Sequence, residues 1–141
     1  MDITDITDDD VEAVVALWER CGLTRPWNDP RADIALARRT ATSTVLIGRR
    51  SDAVVATAML GFDGHRGWIY YLAVEPALQR AGLGRAMMAA AEAWAQARGA
   101  PKLQLMVRGA NAAAVGFYAA LGYRREDVVV IGKRFDGGDR A

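Results

Sequence analysis

Cysteine and histidine are almost absent from this 141-residue chain, which has one of each, Cys21 and His65. A lone thiol forms no internal disulfide, and one thiol with one imidazole cannot build a cysteine- or histidine-based metal cage. No charge of one sign dominates: 18 Lys and Arg face 17 Asp and Glu, a formal +1. Nucleic acid and anionic membranes select for a large basic excess, so neither is expected as a partner. A local basic cluster, such as Arg80 with Arg85, stays compatible with that balance. No apolar run reaches the roughly 18 residues that a membrane span requires. The opening MDITDITDDD is acidic and lacks the basic and apolar regions of a secretory signal. The expected compartment is the cytoplasm.

What remains is an ordinary globular composition, 52% apolar and 25% charged. The length suits one domain over residues 1–141, with a flexible Gly/Asp tail at 136–141. Ile3 to Ile6 reads as a short strand. Thr7-Asp8-Asp9-Asp10 supplies a cap and first-turn acids for a helix, with Val11, Val14, Trp18 and Cys21 at helical spacing and Gly22 at its end. Arg25-Pro26-Trp27-Asn28-Asp29-Pro30 is a loop, and Asp33 to Thr40 is helical. Thr44 to Gly48 and Ala53 to Phe62 form strands around Arg50-Ser51-Asp52. A second turn, Asp63-Gly64-His65-Arg66-Gly67, leads into a strand from Trp68 to Val74. Gly82 to Arg98 is the strongest helix, with Leu83, Met87, Ala90, Ala91 and Trp94 along one stripe. Leu103 to Val107 is a strand, Asn111 to Leu121 a helix, and Tyr123 to Phe135 mostly strand, centred on Val128, Val129, Val130 and Ile131.

The informative junction is Gln79-Arg80-Ala81-Gly82-Leu83-Gly84-Arg85, where a strand gives way to a long helix. A helix start leaves backbone N–H groups without intrahelical partners, and its dipole favours an anion. Glycine lets a phosphate approach the backbone, and Arg80 and Arg85 add positive charge. A Walker loop is not present, because no Gly-x-x-x-x-Gly-Lys-Ser/Thr string occurs. A dinucleotide fingerprint fails at Met87, and the next strand ends in Val107-Arg108 instead of an acid. Gln/Arg-x-x-Gly-x-Gly/Ala fits in full. A plain glycine turn before a helix fits equally well while the string stands alone.

One strand later comes Asn111-Ala112-Ala113-Ala114-Val115-Gly116-Phe117-Tyr118-Ala119-Ala120-Leu121-Gly122-Tyr123. Together the two strings resemble the GNAT superfamily of acyl-CoA N-acyltransferases: the second has its Asn-x-x-Ala-x-x-x-Tyr form running into Leu-Gly-Tyr. The clear resemblance spans Trp68 to Tyr123. Leu17-Trp18-Glu19-Arg20-Cys21, Arg25 to Pro30 and Asp63 to Gly67 further look like the bacterial YpeA-like acetyltransferases. The resemblance implies an α/β (mixed α+β) domain. Its central twisted sheet would be mixed and mostly antiparallel, with six or seven strands and about four helices, and its splayed central strands would form the acyl-CoA cleft. It implies transfer of acetyl from acetyl-CoA to a primary amine by direct attack in a ternary complex, with no metal.

By the same resemblance, Gln79, Arg80, Ala81, Gly82, Leu83, Gly84 and Arg85 would bind pyrophosphate. The main chain of Leu72, Ala73 and Val74 would run beside the pantetheine arm, with an N–H near Val74 stabilising the thioester oxyanion. Tyr118 would be the general acid, with Asn111 near the cofactor or simply a helix cap. Relatives with a similar Leu-x-Val-Arg string carry Glu where this chain has Met106, which accepts no proton. Glu75 is the acid nearest the acyl position and the candidate base, or a solvated loop residue. Trp27, Asn28, Asp29, Asp63 and His65 are candidates for the acceptor side, or turn chemistry. Cys21, far in sequence from the motifs, reads as a buried apolar side chain. Two rival classes are a non-catalytic acyl-CoA sensor and an interaction module, on a monomer or homodimer.

Overall fold

Alternating short polar and apolar stretches in the first half give a meander of strands, and longer amphipathic stretches flank it. The computed structural model describes residues 1–137. Those residues divide into two units, Met1–Met106 and the chain from Val107 onward. Strand β1 is Asp2–Asp5, β2 is Ser43–Arg50, β3 is Ala53–Phe62, β4 is Gly67–Val74 and β5 is Leu103–Leu105. Helices α1 (Val11–Arg20), α2 (Pro30–Arg39) and α3 (Leu83–Ala97) belong to the first unit, and α4 (Ala112–Ala120) to the second. Single 3-10 turns cover Asp8–Asp10 and Pro76–Leu78. No helix among the described residues is long and apolar enough to cross a membrane.

The sheet order is β1-β2-β3-β4-β5, with antiparallel neighbours except the parallel pair β4–β5. The fold class is therefore the expected mixed α/β, but with five strands where six or seven were expected. The shortfall lies in the segment Tyr123 to Phe135, expected to be mostly strand, which takes no strand conformation. Val128, Val129, Val130 and Ile131 are 74%, 85%, 66% and 91% exposed. A run of β-branched residues favours extended backbone, but a strand exists only when a neighbour completes its ladder. Of the expected 136–141 tail, residues 138–141 lie outside the described residues.

Two residues, Ser51 and Asp52, join β2 to β3, both with positive φ (47° and 68°), the geometry of a tight hairpin whose twist matches its strands. Strand alternation then sorts the core. Val45 and Ile47 pack with Val14, Val15, Leu17 and Trp18 of α1 and Ile34 and Ala37 of α2. Helix α3 packs on β3 and β4 and buries Leu83, Met87, Met88, Ala91 and Ala95.

Asp10 fixes the entry to α1. Its carboxylate is buried and accepts from the Thr7 N–H and hydroxyl, both at 2.8 Å, while Arg49 of β2 grips both oxygens at 2.7 Å. The Arg49 hydrogen bond, opposed by burial and helped by Thr7, holds the Asp10 pKa down at about 2, from an ordinary 3.8. A depressed carboxylate contributes stability that is complete above the unfolded pKa and lost as pH falls through the folded one. Asp10→Asn is therefore expected to cost about 2 kcal/mol at pH 7, the free-energy equivalent of the drop in pKa from 3.8 to about 2. The deficit should shrink between about pH 4 and pH 2, as read by urea unfolding across that range. A deficit that stays constant down to pH 2 would contradict this account.

Candidate functional site

Strand β4 is longer than its neighbour on one side. β5 pairs only with Gly67, Trp68 and Ile69, through Leu103, Gln104 and Leu105. β4 runs on to Val74 without a strand on that side among the described residues. Pairing between the two strands thus ends at Ile69, next to the edge of the sheet, whereas the expectation was a splay between central strands.

On its other side β4 stays paired with β3, but the register slips. Thr57 lies opposite Ala73 and Met59 opposite Tyr70, so two residue steps on β3 span three on β4. This is a bulge, and Tyr71 within it has φ +52°. Past the bulge, Glu75 N–H donates to Val55 O at 2.8 Å. Alternation along an antiparallel pair then turns the Val74 N–H and C=O away from β3, toward the side β5 leaves open. Of Leu72, Ala73 and Val74, whose main chain was expected to meet the pantetheine arm, alternation turns Val74 that way and leaves Ala73, opposite Thr57, facing β3.

The chain leaves β4 through Glu75 and the Pro76–Leu78 turn and reaches the glycine string. Gln79 folds back, its amide Nε2 donating to Val74 O at 3.4 Å. Arg80 and Gly82 both have positive φ, +69° and +84°. Gly82 is the N-cap of α3 and offers no side chain to cap it. The first helical hydrogen bond is Ala86 N–H to Gly82 O at 3.1 Å. No acceptor among the described residues takes the N–H of Gly82, Leu83, Gly84 or Arg85. Four unengaged amides thus lie at the positive end of a 15-residue helix, where an anion is favoured, with Arg80 and Arg85 exposed beside it. The helix begins here because Gly82 alone can turn the backbone through a left-handed step without a Cβ penalty.

Two residues that the sequence placed elsewhere sit at this strand end. Cys21, remote in sequence, brings its thiol to Val74 O at 3.3 Å. Burial pushes the thiol pKa up, so it stays protonated, unlike a nucleophilic thiolate. Arg20 reaches Glu75, with Nε at 3.1 Å and Nη2 at 2.6 Å from Oε2. The candidate base is therefore an ion-pair partner that fastens the turn after β4 to α1. Nothing local in the sequence signals either contact, because both join residues more than 50 positions apart.

The acceptor-side candidates come from two turns, one before α2 and one before β4. Asp29 caps α2, one carboxylate oxygen accepting from Arg31 N–H at 3.0 Å and Ala32 N–H at 3.1 Å, with Pro30 at the first helical position. Asp63 accepts from His65 N–H at 2.8 Å and Arg66 N–H at 2.7 Å, bonds that lower its pKa and close the turn before β4. His65 is exposed, while Trp27 and Asn28 are half-buried in the loop before α2. For Asp29 and Asp63 the turn-chemistry alternative describes what their carboxylates do.

In the second unit, Asn111 accepts from Ala114 N–H at 3.1 Å and caps α4, as expected. Tyr118 lies on that helix against Phe117, with ring centroids 5.1 Å apart, and Tyr123, 6.1 Å away, both edge-on. Burial pushes its phenol up to about 12, so it holds its proton across the neutral range and can donate it.

Residues 11–123 match the sequence model of the Acetyltransferase (GNAT) family. An acetyltransferase of Pectobacterium atrosepticum is 42% identical over 134 residues, 95% of each chain. One from Yersinia enterocolitica is 42% identical with the same coverage. Among solved structures, the aminoglycoside-modifying AAC(6')-Iy, in complex with the bisubstrate analogue CoA-S-monomethyl-acetylneamine, superposes with a TM-score of 0.79. It is 17% identical, and the match covers 94% of this chain and 97% of that one, so it speaks to the fold alone.

Proposed function

Because the chain belongs to the Acetyltransferase (GNAT) family and is an acyltransferase, we propose that it takes acetyl from acetyl-CoA along the open edge of β4 and passes it to a primary amine. The observation that carries this reading is the continuity between that edge and the four unengaged amides at the start of α3. A pantetheine arm is an extended chain with amide groups, and an unpaired strand edge is its natural complement. A pyrophosphate matches a crown of N–H donors flanked by Arg80 and Arg85. The similar AAC(6')-Iy was crystallised with a CoA-linked analogue, which agrees with this assignment of the donor.

When bound, acetyl-CoA supplies an activated acyl group, and the chain's own residues do the rest. Gln79 to Arg85 anchor the phosphates, and Leu72 to Val74 align the arm. The Val74 N–H, aimed into the open side, holds negative charge that develops on the acyl oxygen. Preorganised donors of this kind are worth about 2.7–4 kcal/mol of barrier. Tyr118 gives its proton to the departing thiolate. Glu75, tied to Arg20, fixes the geometry of the strand end, and the amine loses its proton through water at the open edge. Asn111 caps the helix that carries Tyr118. Trp27, Asn28 and the Asp63–His65 turn are proposed to border the acceptor. This reading treats residues 1–141 as one transferase domain.

Thermal unfolding with and without acetyl-CoA tests the donor. At about a hundred times its dissociation constant, the ligand should add roughly 2.7 kcal/mol of stability. An unchanged melting temperature at millimolar acetyl-CoA would sink the assignment. Thiol release from acetyl-CoA over a panel of monoamines, aminoglycosides and lysine peptides then identifies the acceptor class.

A further inference from the structure

Tyr71 is a non-glycine residue in the left-handed region, φ +52°, at the one bulge of β4. A bulky side chain does not adopt that conformation unless its surroundings impose it. Three elements do so here. Trp18 of α1 stacks flat on the Tyr71 ring, with centroids 3.7 Å apart and planes 7° from parallel. Asp33 of α2 accepts from the Tyr71 phenol at 2.7 Å. Thr57 of β3 donates its hydroxyl to the Tyr71 carbonyl at 2.9 Å.

The Thr57 hydroxyl has no freedom of its own. It is wholly buried, and Trp18 Nε1–H donates to its oxygen at 2.8 Å. With that lone pair engaged, the single hydroxyl hydrogen is left for Tyr71 O. Trp18 thus touches Tyr71 twice, directly through the ring and indirectly through Thr57. Ring, phenol and carbonyl of one strained residue are each fixed from a different element.

We propose that Trp18, Thr57 and Asp33 are positioning residues that lock the Tyr71 bulge and thereby set the direction in which Val74 N–H faces the open edge of β4. The bulge lies three residues before Val74, so the phase of the strand there decides which amides face β3 and which face the acyl donor. The inference rests on the reading of Leu72–Val74 as the donor edge. The clamp touches neither substrate, and its loss acts on the geometry of transfer while the phosphate anchor at Gly82–Arg85 is untouched.

The test compares Thr57→Val, which keeps the shape and removes the hydroxyl, with Thr57→Ser, which keeps the hydroxyl. Tyr71→Phe, which cuts only the bond to Asp33, serves if the valine variant folds poorly. Three quantities are read: deuterium uptake by the 70–75 segment of the free protein, the dissociation constant for CoA, and kcat with the amine that the wild-type protein turns over fastest. Thr57→Val should raise uptake over 70–75 and lower kcat about 10- to 100-fold, the cost of misplacing a reacting group by a fraction of an ångström to an ångström. CoA affinity should stay within about threefold, the range of an untouched phosphate site, and Thr57→Ser should restore both other readings. Tyr71→Phe should shift them in the same direction by a smaller factor. Unchanged uptake overturns the clamp, and raised uptake with unchanged kcat overturns its positioning role. Wild-type protein that fails to bind CoA is a different result, because it removes the donor reading and the proposal with it, before any variant is compared.

Discussion

Gly82→Glu is expected to raise the dissociation constants for CoA and acetyl-CoA at least about 100-fold, a loss of roughly 2.8 kcal/mol at 1.4 kcal/mol per factor of ten. Gly82 is the N-cap of α3 with φ +84°, and the four N–H groups from Gly82 to Arg85 are unengaged. Glutamate introduces a Cβ that the left-handed backbone resists, at a cost of about 1–3 kcal/mol. It also places a carboxylate where the amides and the helix dipole favour an anion, so the side chain competes with the phosphate it displaces. Gly82→Asn separates the two effects, since Asn tolerates left-handed backbone and carries no charge. Its binding loss should be nearer tenfold. Isothermal calorimetry on each variant, with circular dichroism to confirm folding, decides the matter. A folded Gly82→Glu protein that binds CoA within about threefold of wild type would show that the phosphate lies elsewhere.

Tyr118→Phe should lower kcat by about 100-fold while CoA affinity changes little, because general acids contribute about 10²–10⁴ in rate and only in the transition state. The phenol packs edge-on between Phe117 and Tyr123 and is raised to about 12 by burial. A raised phenol pKa keeps the donor form present at every pH up to that value. The Tyr118 contribution to kcat should therefore persist through pH 10, with loss confined to more alkaline solution. Phenylalanine preserves the ring packing, so the melting temperature should move by only a few degrees, within the range that a change below 1 kcal/mol produces. Steady-state thiol release at saturating acetyl-CoA measures the effect. A variant as fast as wild type would remove Tyr118 from the reaction, and one that loses CoA binding in parallel would make it a binding residue.

The helix start at Gln79 to Arg85 was readable from spacing, while its reading as a pyrophosphate anchor came from the family resemblance. Gln79 to Arg85 needed only a strand, a loop, two glycines and a helix in order, and local rules fix that arrangement within one turn of backbone. Asn111 was equally legible, because a cap bonds an amide three residues away. Asp29 and Asp63 each carried an acceptor-side reading beside a turn-chemistry one. In the structure both carboxylates accept from nearby N–H groups, as short polar side chains readily do. The strand expected from Tyr123 to Phe135 failed for the opposite reason. Four β-branched residues in a row state a preference, and a ladder needs a neighbour that no local pattern names.

The sequence by itself determined the family, through two strings one strand apart, and it determined the helix start at Gly82 and the cap at Asn111, because each of these depends on residues within a few positions of one another. Only the tertiary structure decided that β5 stops at Leu105 while β4 continues to Val74. It alone put Arg20 on Glu75 and Cys21 on the Val74 carbonyl. It also bent β4 at Tyr71 under contacts from Trp18, Asp33 and Thr57. Those contacts join positions 14 to 55 residues apart, and their register follows from which faces of the sheet the helices bury. The glycine-led helix start is thus a local property of the chain, and the bend of the strand before it is a property of the fold.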